Sequence, residues 1–576
     1  MEKIAQLILE NLKKCLQIPV QFEDLEIPSH PQWGDFSFPC FKLSKIYKKS
    51  PQEIAKALSS QLNRQISSEF QIQSIGPYLN WKISPYFLSS QILSAIFENS
   101  SKEKGYGQLP PHSQQTWVLE YSSPNIAKPL NIYHLRSIAI GAALDRISRY
   151  RGHHVISINH LGDWGKQYGL LAIALIDANK NENDSLTITD LEELYVNISK
   201  RAQADQNIQK RAQEAFLKLE QGDPLISNLW KKCVHLSIQE FQKIYQRLGV
   251  NFDYILGESH YQSHLMPLLE DLKKRNILIK SQGAWIVPVE DEKGNPLPPC
   301  LLQKSDGASL YATRDLAAAL DRYKKFQFDQ MNYIVGHEQK LHFQQIFGVL
   351  RKLNLPWANR CQHIPFGLYH FKDEKMSTRK GNAISLEKVL TGVKLKIQAK
   401  IKDRFPDIKS EDLEETSEKI ALGALIFQDL HTDPMKDVEF DLEKMTAFEG
   451  HTGPYLQYAH TRCLSLLKKA IQKGYQKPSY SPQWIPNFNQ EAEILLIKNL
   501  GYFPIYLQRA LHFHQPSQLC HYLIQLAKTF NTFYRNCPVL DADPSQTQSR
   551  LLLIEGTRKI LAQGLKLLGI PLPERM

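Results

Sequence analysis

The chain has 576 residues, 42% of them hydrophobic and 22% charged, an ordinary globular balance that excludes a disordered or fibrous protein. At roughly 150 residues per domain, this length implies three or four domains with apolar content for several cores. The net charge is +11, and the stretch 441–576 alone holds 15 basic against 9 acidic residues, a bias compatible with nucleic acid but weak evidence for it alone.

Residues 1–16 alternate at helical spacing and carry Glu2 and Glu10, which predicts an amphipathic helix and not a secretory leader. Up to about residue 105, helical periodicity mixes with short extended pieces at 71–74 and 79–83, around Gly76 and Pro77. A polar stretch at 99–115, with Gly105, Gly107, Pro110 and Pro111, reads as a linker. An apolar strand at 117–121 follows, then a turn at 122–125. Next come a helix at 134–150, with Ile138, Ala142, Leu144 and Ile147 on its apolar side, and a second strand at 155–159. Strand, helix, strand in that order is one unit of a parallel sheet. Residues 190–248 are helical and polar and look inserted, and 276–289 predicts a hairpin around Ser281, Gln282 and Gly283. Strands and helices alternate again from 333–336 to about 399. From Glu411 the pattern is helical to the end, including amphipathic stretches at 455–466 and 520–534.

The longest apolar runs, such as 170–176, are far below the ~18 residues of a membrane helix. The eight cysteines are scattered, no two within four residues, which argues against a zinc ribbon or a disulfide framework and suits a reducing cytoplasm.

Two segments carry chemistry. Residues 120–137 lie where a strand ends and a helix begins, the place where ligands bind in an open parallel sheet. A helix N-terminus offers free NH groups and positive potential to an anion, and Lys128 and His134 add donors beside it. Read alone, the segment is as well described as a capped helix with surface cations. The second segment, Lys375-Met376-Ser377-Thr378-Arg379-Lys380-Gly381, is a polar loop whose cations could close over a polyphosphate and stabilise charge on a leaving group. Alone it would be a solvated basic loop; the two together, in this order, are too specific for chance.

With Gly162-Asp163-Trp164-Gly165, the stretches 311–317 and 453–462, and the closing 567–576, these segments resemble class I aminoacyl-tRNA synthetases, and within them arginyl-tRNA synthetase. The resemblance covers nearly the whole chain. It implies a multidomain protein: an α+β N-terminal domain at 1–105 that meets the tRNA D-loop, an α/β Rossmann-like parallel-sheet catalytic domain at 112–405 with an insertion at about 180–300, and an all-α anticodon-binding domain at 406–576. It also implies a cytoplasmic monomer that ligates arginine to its tRNA through an arginyl-adenylate, with ATP as substrate, Mg²⁺ accompanying it and no zinc. By the same resemblance, tRNA is needed for the first step.

Residue by residue, the resemblance assigns arginine binding to Glu120, Asn125, Tyr311, Asp315 and Gln339. The chemistry agrees, because a guanidinium is a planar donor fork that pairs best with carboxylates. Lys128, Asn131, Tyr133, His134, Lys375, Met376 and Ser377 fall to ATP, with Lys128, His134 and Lys375 stabilising transition-state charge. Tyr78, Asn80, Tyr455, Tyr458, Arg462 and Met576 fall to tRNA, since aromatic rings stack splayed bases and arginine pairs with base edges or phosphate. Without the resemblance, Tyr455 and Tyr458 would read as core tyrosines of an amphipathic helix.

The chain departs from the family at one site. The expected His-x-Gly-His reads Asn131-Ile132-Tyr133-His134. The family glycine lets adenine lie against bare backbone. A phenol at 133 either fills that space or swings out to stack on the base. The alternative reading is therefore a non-catalytic descendant that binds tRNA or arginine with an impaired ATP site. Thr378 stands where a second lysine is usual, and Lys128 is placed to compensate.

Overall fold

The computed structural model describes residues 1–576 except 17, 29, 65–68, 99–104, 182–183, 306, 308, 372–383, 482–485, 487 and 541. Its first helix, Glu2–Cys15, buries Ile4, Ala5, Ile8, Leu9 and Leu12, the one-sided spacing that its sequence predicts. Strands β1 (Phe36–Pro39), β2 (Phe70–Ile75) and β3 (Tyr78–Ile83) form an antiparallel sheet in the order β1-β3-β2. Gly76, at φ +55°, makes the tight turn between β2 and β3. The Pro51–Leu62 helix packs on this sheet. It starts at a capping box in which Ser50 and Glu53 exchange hydrogen bonds.

The central sheet contains β4 (Thr116–Glu120), β5 (His154–Leu161) and β6 (Tyr254–Gly257), joined later in the chain by two more strands. Helix Ile132–Arg151 crosses from β4 to β5 and is buried along most of its length. Four helices lie between β5 and β6, from Lys166–Asp177 to Pro224–Arg247, three of them spanning the polar stretch expected to be inserted. After β6 comes a small antiparallel sheet of β7 (Ile279–Ser281), β8 (Ala284–Glu290) and β9 (Pro296–Gln303). The β7–β8 hairpin sits where the sequence predicts one. The third strand was not anticipated, because Pro296, Pro298 and Pro299 argue against a strand. It lies at the sheet edge, where missing NH donors cost little.

The main sheet then gains β10 (Gln330–Gly336) and β11 (Cys361–Phe366). Its order is β11-β10-β4-β5-β6, with every neighbouring pair parallel. This is the expected Rossmann-like sheet, and its order reverses between β4 and β10.

A further pair, β12 (Tyr369–Phe371) and β13 (Val438–Phe440), is also parallel. β13 corrects the reading of an unbroken helical pattern after Glu411. Val438 and Phe440 are buried and Glu439 is exposed, an alternation of three residues that is too short to show against flanking helices. The remaining chain is helical, from Ser410–His431 through Gly453–Gln472 and Ser517–Asn536 to Pro544–Leu568. Among the described residues, no helix is long and apolar enough to cross a membrane.

Candidate active site

β4 ends at Glu120, on the carboxyl edge of the sheet at the point of reversal. The chain then turns through Ser122, Ser123 and Ala127, three non-glycine residues at φ +74°, +47° and +62°. Such backbone costs about 1–3 kcal/mol per residue and persists only where surroundings over-determine it. Here they do. Ser137 Oγ accepts the Ser122 NH at 2.9 Å, Asn159 Oδ1 accepts the Ser123 NH at 3.1 Å, and Ser237 Oγ accepts the Ala127 NH at 2.8 Å. The following helix, β5 and the insertion each hold one point of the loop. Asn125 pairs with Gly162, and a Cβ on that glycine would fall 2.0 Å from Asn125 Oδ1. Gly162 is thus the residue that lets Asn125 lie across β5.

The loop feeds the first turn of the Ile132–Arg151 helix. Asn131 is its N-cap, accepting the Tyr133 NH at 3.1 Å, while His134 Nδ1 accepts the Asn131 NH at 3.1 Å. That bond places the imidazole proton on Nε2. Burial pushes the His134 pKa down to about 4, so at neutral pH it is an uncharged donor rather than a cation. The stability consequence has a definite sign. Between pH 6.5 and about 4 the unfolded His134 takes a proton that the folded one refuses, so acidification lowers stability across that window. His134→Gln is expected to make the loss shallower by up to about 1.4 kcal/mol per pH unit, measured by denaturant unfolding at a series of pH values.

Tyr133 is 39% exposed on the outside of this first turn. Lys128 is exposed, with Nζ 4.8 Å above the Tyr195 ring of the insertion. Lys375, Met376 and Ser377 lie outside the described residues, whereas residues 384–386, which follow that segment, are held in place. Ile384 O accepts the Ile132 NH at 3.1 Å, the Leu386 NH meets Leu130 O at 2.9 Å, and Ser385 bridges Asn131. Residues 384–386, just beyond the second segment singled out in the sequence, therefore meet residues 130–132 backbone to backbone at one helix N-terminus.

Across the sheet edge lies an acidic pocket. Glu120 is 5% exposed and its Oε2 accepts from Arg322, whose side chain is 1% exposed and whose Nη2 lies 3.3 Å from His160 Nδ1. Glu120 thus already has an ion-pair partner, and any ligand ammonium there shares the carboxylate with Arg322. Asp315, in the first turns of the Tyr311–Phe326 helix, accepts from His342 at 2.6 Å and has His160 Nε2 at 3.7 Å. Burial pushes its carboxyl up, but His342, His160 and Arg322 outweigh that and hold it below the usual carboxylate range. Tyr311, 54% exposed, opens the same helix with the Arg314 guanidinium 5.7 Å from its ring. Gln339 is exposed just beyond β10.

Sequence reasoning missed Glu258. It follows β6 directly, is 8% exposed, and has Arg314 Nη1 3.3 Å from Oε2 without hydrogen-bond geometry. Burial pushes its pKa up to about 8, with Asp315 and Asp163 adding repulsion that Arg314 only partly offsets. An acid one residue past a short strand was the available signal, and β6 has only four residues.

The residues expected at tRNA separate. Tyr78 is partly exposed and meets Phe41 edge-on at 5.7 Å, whereas Asn80 is 2% exposed and offers little surface to RNA. Tyr455, Tyr458 and Arg462 share a partly exposed face of the Gly453–Gln472 helix. Asn531 ties two of them together, donating to the Tyr455 hydroxyl at 2.9 Å and accepting from Arg462 at 3.3 Å, and the Arg462 guanidinium lies 4.3 Å over the Tyr534 ring. Met576 packs partly buried against the core.

Three family models match the chain: the N-terminal domain of arginyl tRNA synthetase over residues 2–83, the catalytic domain of class I (R) tRNA synthetases over 96–442, and the DALR anticodon binding domain over 456–576. An arginine–tRNA ligase of an Exiguobacterium species is 39% identical over 96% of this chain and 95% of its own. That of Clostridium perfringens is 38% identical over 99% of both. Solved arginyl-tRNA synthetases of Thermus thermophilus and Plasmodium falciparum share the fold, with TM-scores of 0.80 and 0.84 at 22% and 23% identity. They cover all of this chain and 100% and 99% of their own.

Proposed function

The chain belongs to the arginyl-tRNA synthetases of class I, and from that premise we propose that it joins arginine to its tRNA using ATP. The observation that carries the site assignment is the acidic pocket of Glu120, Glu258 and Asp315 beside a helix N-terminus at the sheet's point of reversal. A guanidinium fits between Asp315 and Glu258 with Tyr311 beside it. The α-ammonium fits toward Glu120 and Asn125, with Gln339 at the rim. The arginine carboxylate then points at the helix N-terminus.

In this reading the carboxylate oxygen attacks the α-phosphorus of ATP, and the bond to the bridging oxygen breaks, releasing pyrophosphate. The terminal tRNA hydroxyl next attacks the arginyl carbonyl, and AMP leaves. Catalysis is positioning and charge stabilisation by the neutral His134 Nε2–H, Lys128 and the segment holding Lys375, Met376 and Ser377. Mg²⁺ arrives with ATP. Tyr133 lies at the outer side, where its ring is free to border the base. Tyr455, Tyr458 and Arg462 receive the anticodon loop and Tyr78 the D-loop. The enzyme works as a cytoplasmic monomer.

The test is arginine-dependent exchange of pyrophosphate into ATP in the presence of tRNA. Exchange with arginine and none with lysine is expected; equal exchange with both would refute the assignment of the pocket.

Glu258 adds a second, independent readout. Its carboxyl is protonated at pH 7 in the free protein, and a guanidinium beside it favours the ionised form. Arginine binding at pH 7 is therefore expected to release up to about one proton, seen by calorimetry in buffers of different ionisation enthalpy. The release should fade above pH 8 and vanish in Glu258→Gln.

A further inference from the structure

Three histidines meet in the helical domain, each from a different element. His431 ends the Ser410–His431 helix, His451 lies just ahead of the Gly453–Gln472 helix, and His521 sits in the Ser517–Asn536 helix. The His431 ring lies 5.5 Å from that of His451 and 4.8 Å from that of His521, edge-on to both. Lys528, two turns beyond His521 on the same helix, donates from Nζ to His451 Nε2 at 2.8 Å. His451, His521 and Lys528 are exposed, whereas His431 Nε2 is buried and has no hydrogen-bond partner.

Among the described residues, no three such side chains converge as metal ligands. The group is instead rich in donors and poor in negative charge. Lys444 acts on His431 and Lys528 on His451, both cations. On the acidic side, Asp433 is felt by His521 alone, together with the His431 carbonyl. The Asp433 carboxylate is already engaged by the Met435 NH at 2.9 Å and by Gln515 at 3.2 Å. Burial first, and then these neighbours and the rings themselves, hold all three imidazoles below their ordinary range, His431 down to about 4. At neutral pH the free protein therefore carries them uncharged. An anion laid across them supplies the missing negative charge and favours their protonated form.

The patch runs on into the face that holds Tyr455 and Arg462. One turn past Lys528 stands Asn531, which bonds both of those residues, and His451 leads through the N-cap Thr452 into their helix. From His521 to Asn531 the helix advances about 15 Å, room for several successive phosphates of one strand. Aromatic rings at one end and histidines with a lysine at the other suit an RNA whose bases are splayed at its loop and paired behind it.

We propose that His431, His451, His521 and Lys528 grip the phosphodiester backbone of the tRNA stem behind the anticodon loop. The contact reads no sequence. It binds protons more tightly in the complex than in the free protein, so tRNA affinity rises as pH falls from 8 to 6. The proposal rests on the ligase reading above and adds to it a proton-linked hold on the tRNA.

Filter binding of tRNA to the full chain at pH 6 and pH 8 tests it. Wild-type affinity is expected to rise by about tenfold between pH 8 and pH 6. In the His451→Gln, His521→Gln double variant, which changes two exposed side chains and leaves the buried His431, the rise is expected to be about twofold or less. Lys528→Gln is expected to weaken binding about threefold and to lower its salt slope by about one. KM for arginine and for ATP should stay within about threefold of wild type in both. An acceptor-stem hairpin, which lacks the anticodon stem, should bind wild type and variants alike. An undiminished pH response in the double variant would overturn the proposal, and so would equal losses with the hairpin. A wild-type protein that binds tRNA with the expected pH response but charges no arginine would overturn the ligase reading instead and leave the contact standing.

Discussion

Replacing Asp315 with asparagine is expected to lower kcat/KM for arginine by about 100-fold or more, with KM for ATP within about threefold of wild type. Asp315 is held ionised by His342 at 2.6 Å, with His160 and Arg322 nearby, so the pocket keeps a full negative charge whether or not a ligand is present. A hydrogen bond from a guanidinium to such a carboxylate contributes roughly 1.5–3 kcal/mol, and removing the charge from a partly enclosed site leaves the ligand's own charge unpaired as well. The upper end of that range corresponds to about two factors of ten. Steady-state charging with arginine varied is the measurement. A change smaller than about threefold would mean that Asp315 serves only to hold His342.

The largest effect on stability is expected at Arg322. Its side chain is 1% exposed and it bridges Glu120 and His160 between the rings of Tyr261 and Tyr333, at 5.9 and 5.8 Å. Arg322→Met leaves Glu120 as a buried charge without its partner, which typically costs about 3–5 kcal/mol. The cost comes from the orphaned charge rather than from lost attraction. The double variant Arg322→Met, Glu120→Gln should therefore recover a large part of it, a coupling that a double-mutant cycle by denaturant unfolding reads directly. Additive losses in the cycle would contradict this account of the pair.

These two residues also show what could be read from the chain itself. The strand, turn and helix around Glu120 to Tyr150 were legible because apolar spacing changes from strand to helix across a turn of Ser122, Ser123 and Pro124. In the main sheet β5 and β10 followed in the same way, and the β7–β8 hairpin followed from its turn at Ser281, Gln282 and Gly283. Asp315 and Tyr311 were legible only through resemblance, since a Tyr and an Asp opening a helix are ordinary in composition. Arg322 was not legible as the partner of Glu120, because 202 residues separate them and only the tertiary fold brings them together. Glu258 escaped because β6 is too short to announce itself, and β13 for the same reason. Asn80 lies on the outer face of β3 with Tyr78 and Lys82, yet its side chain is buried there, which the alternation of the strand does not announce.

Tyr133 is where the chain departs from its family, and it has one discriminating measurement. Purified protein is given total tRNA, ATP and labelled arginine, with labelled lysine in a parallel reaction. The account predicts arginyl-tRNA and no lysyl-tRNA, with the exposed Tyr133 ring accommodating the nucleotide. A folded protein that binds tRNA yet forms no arginyl-tRNA, and that gains activity on Tyr133→Gly, would contradict it.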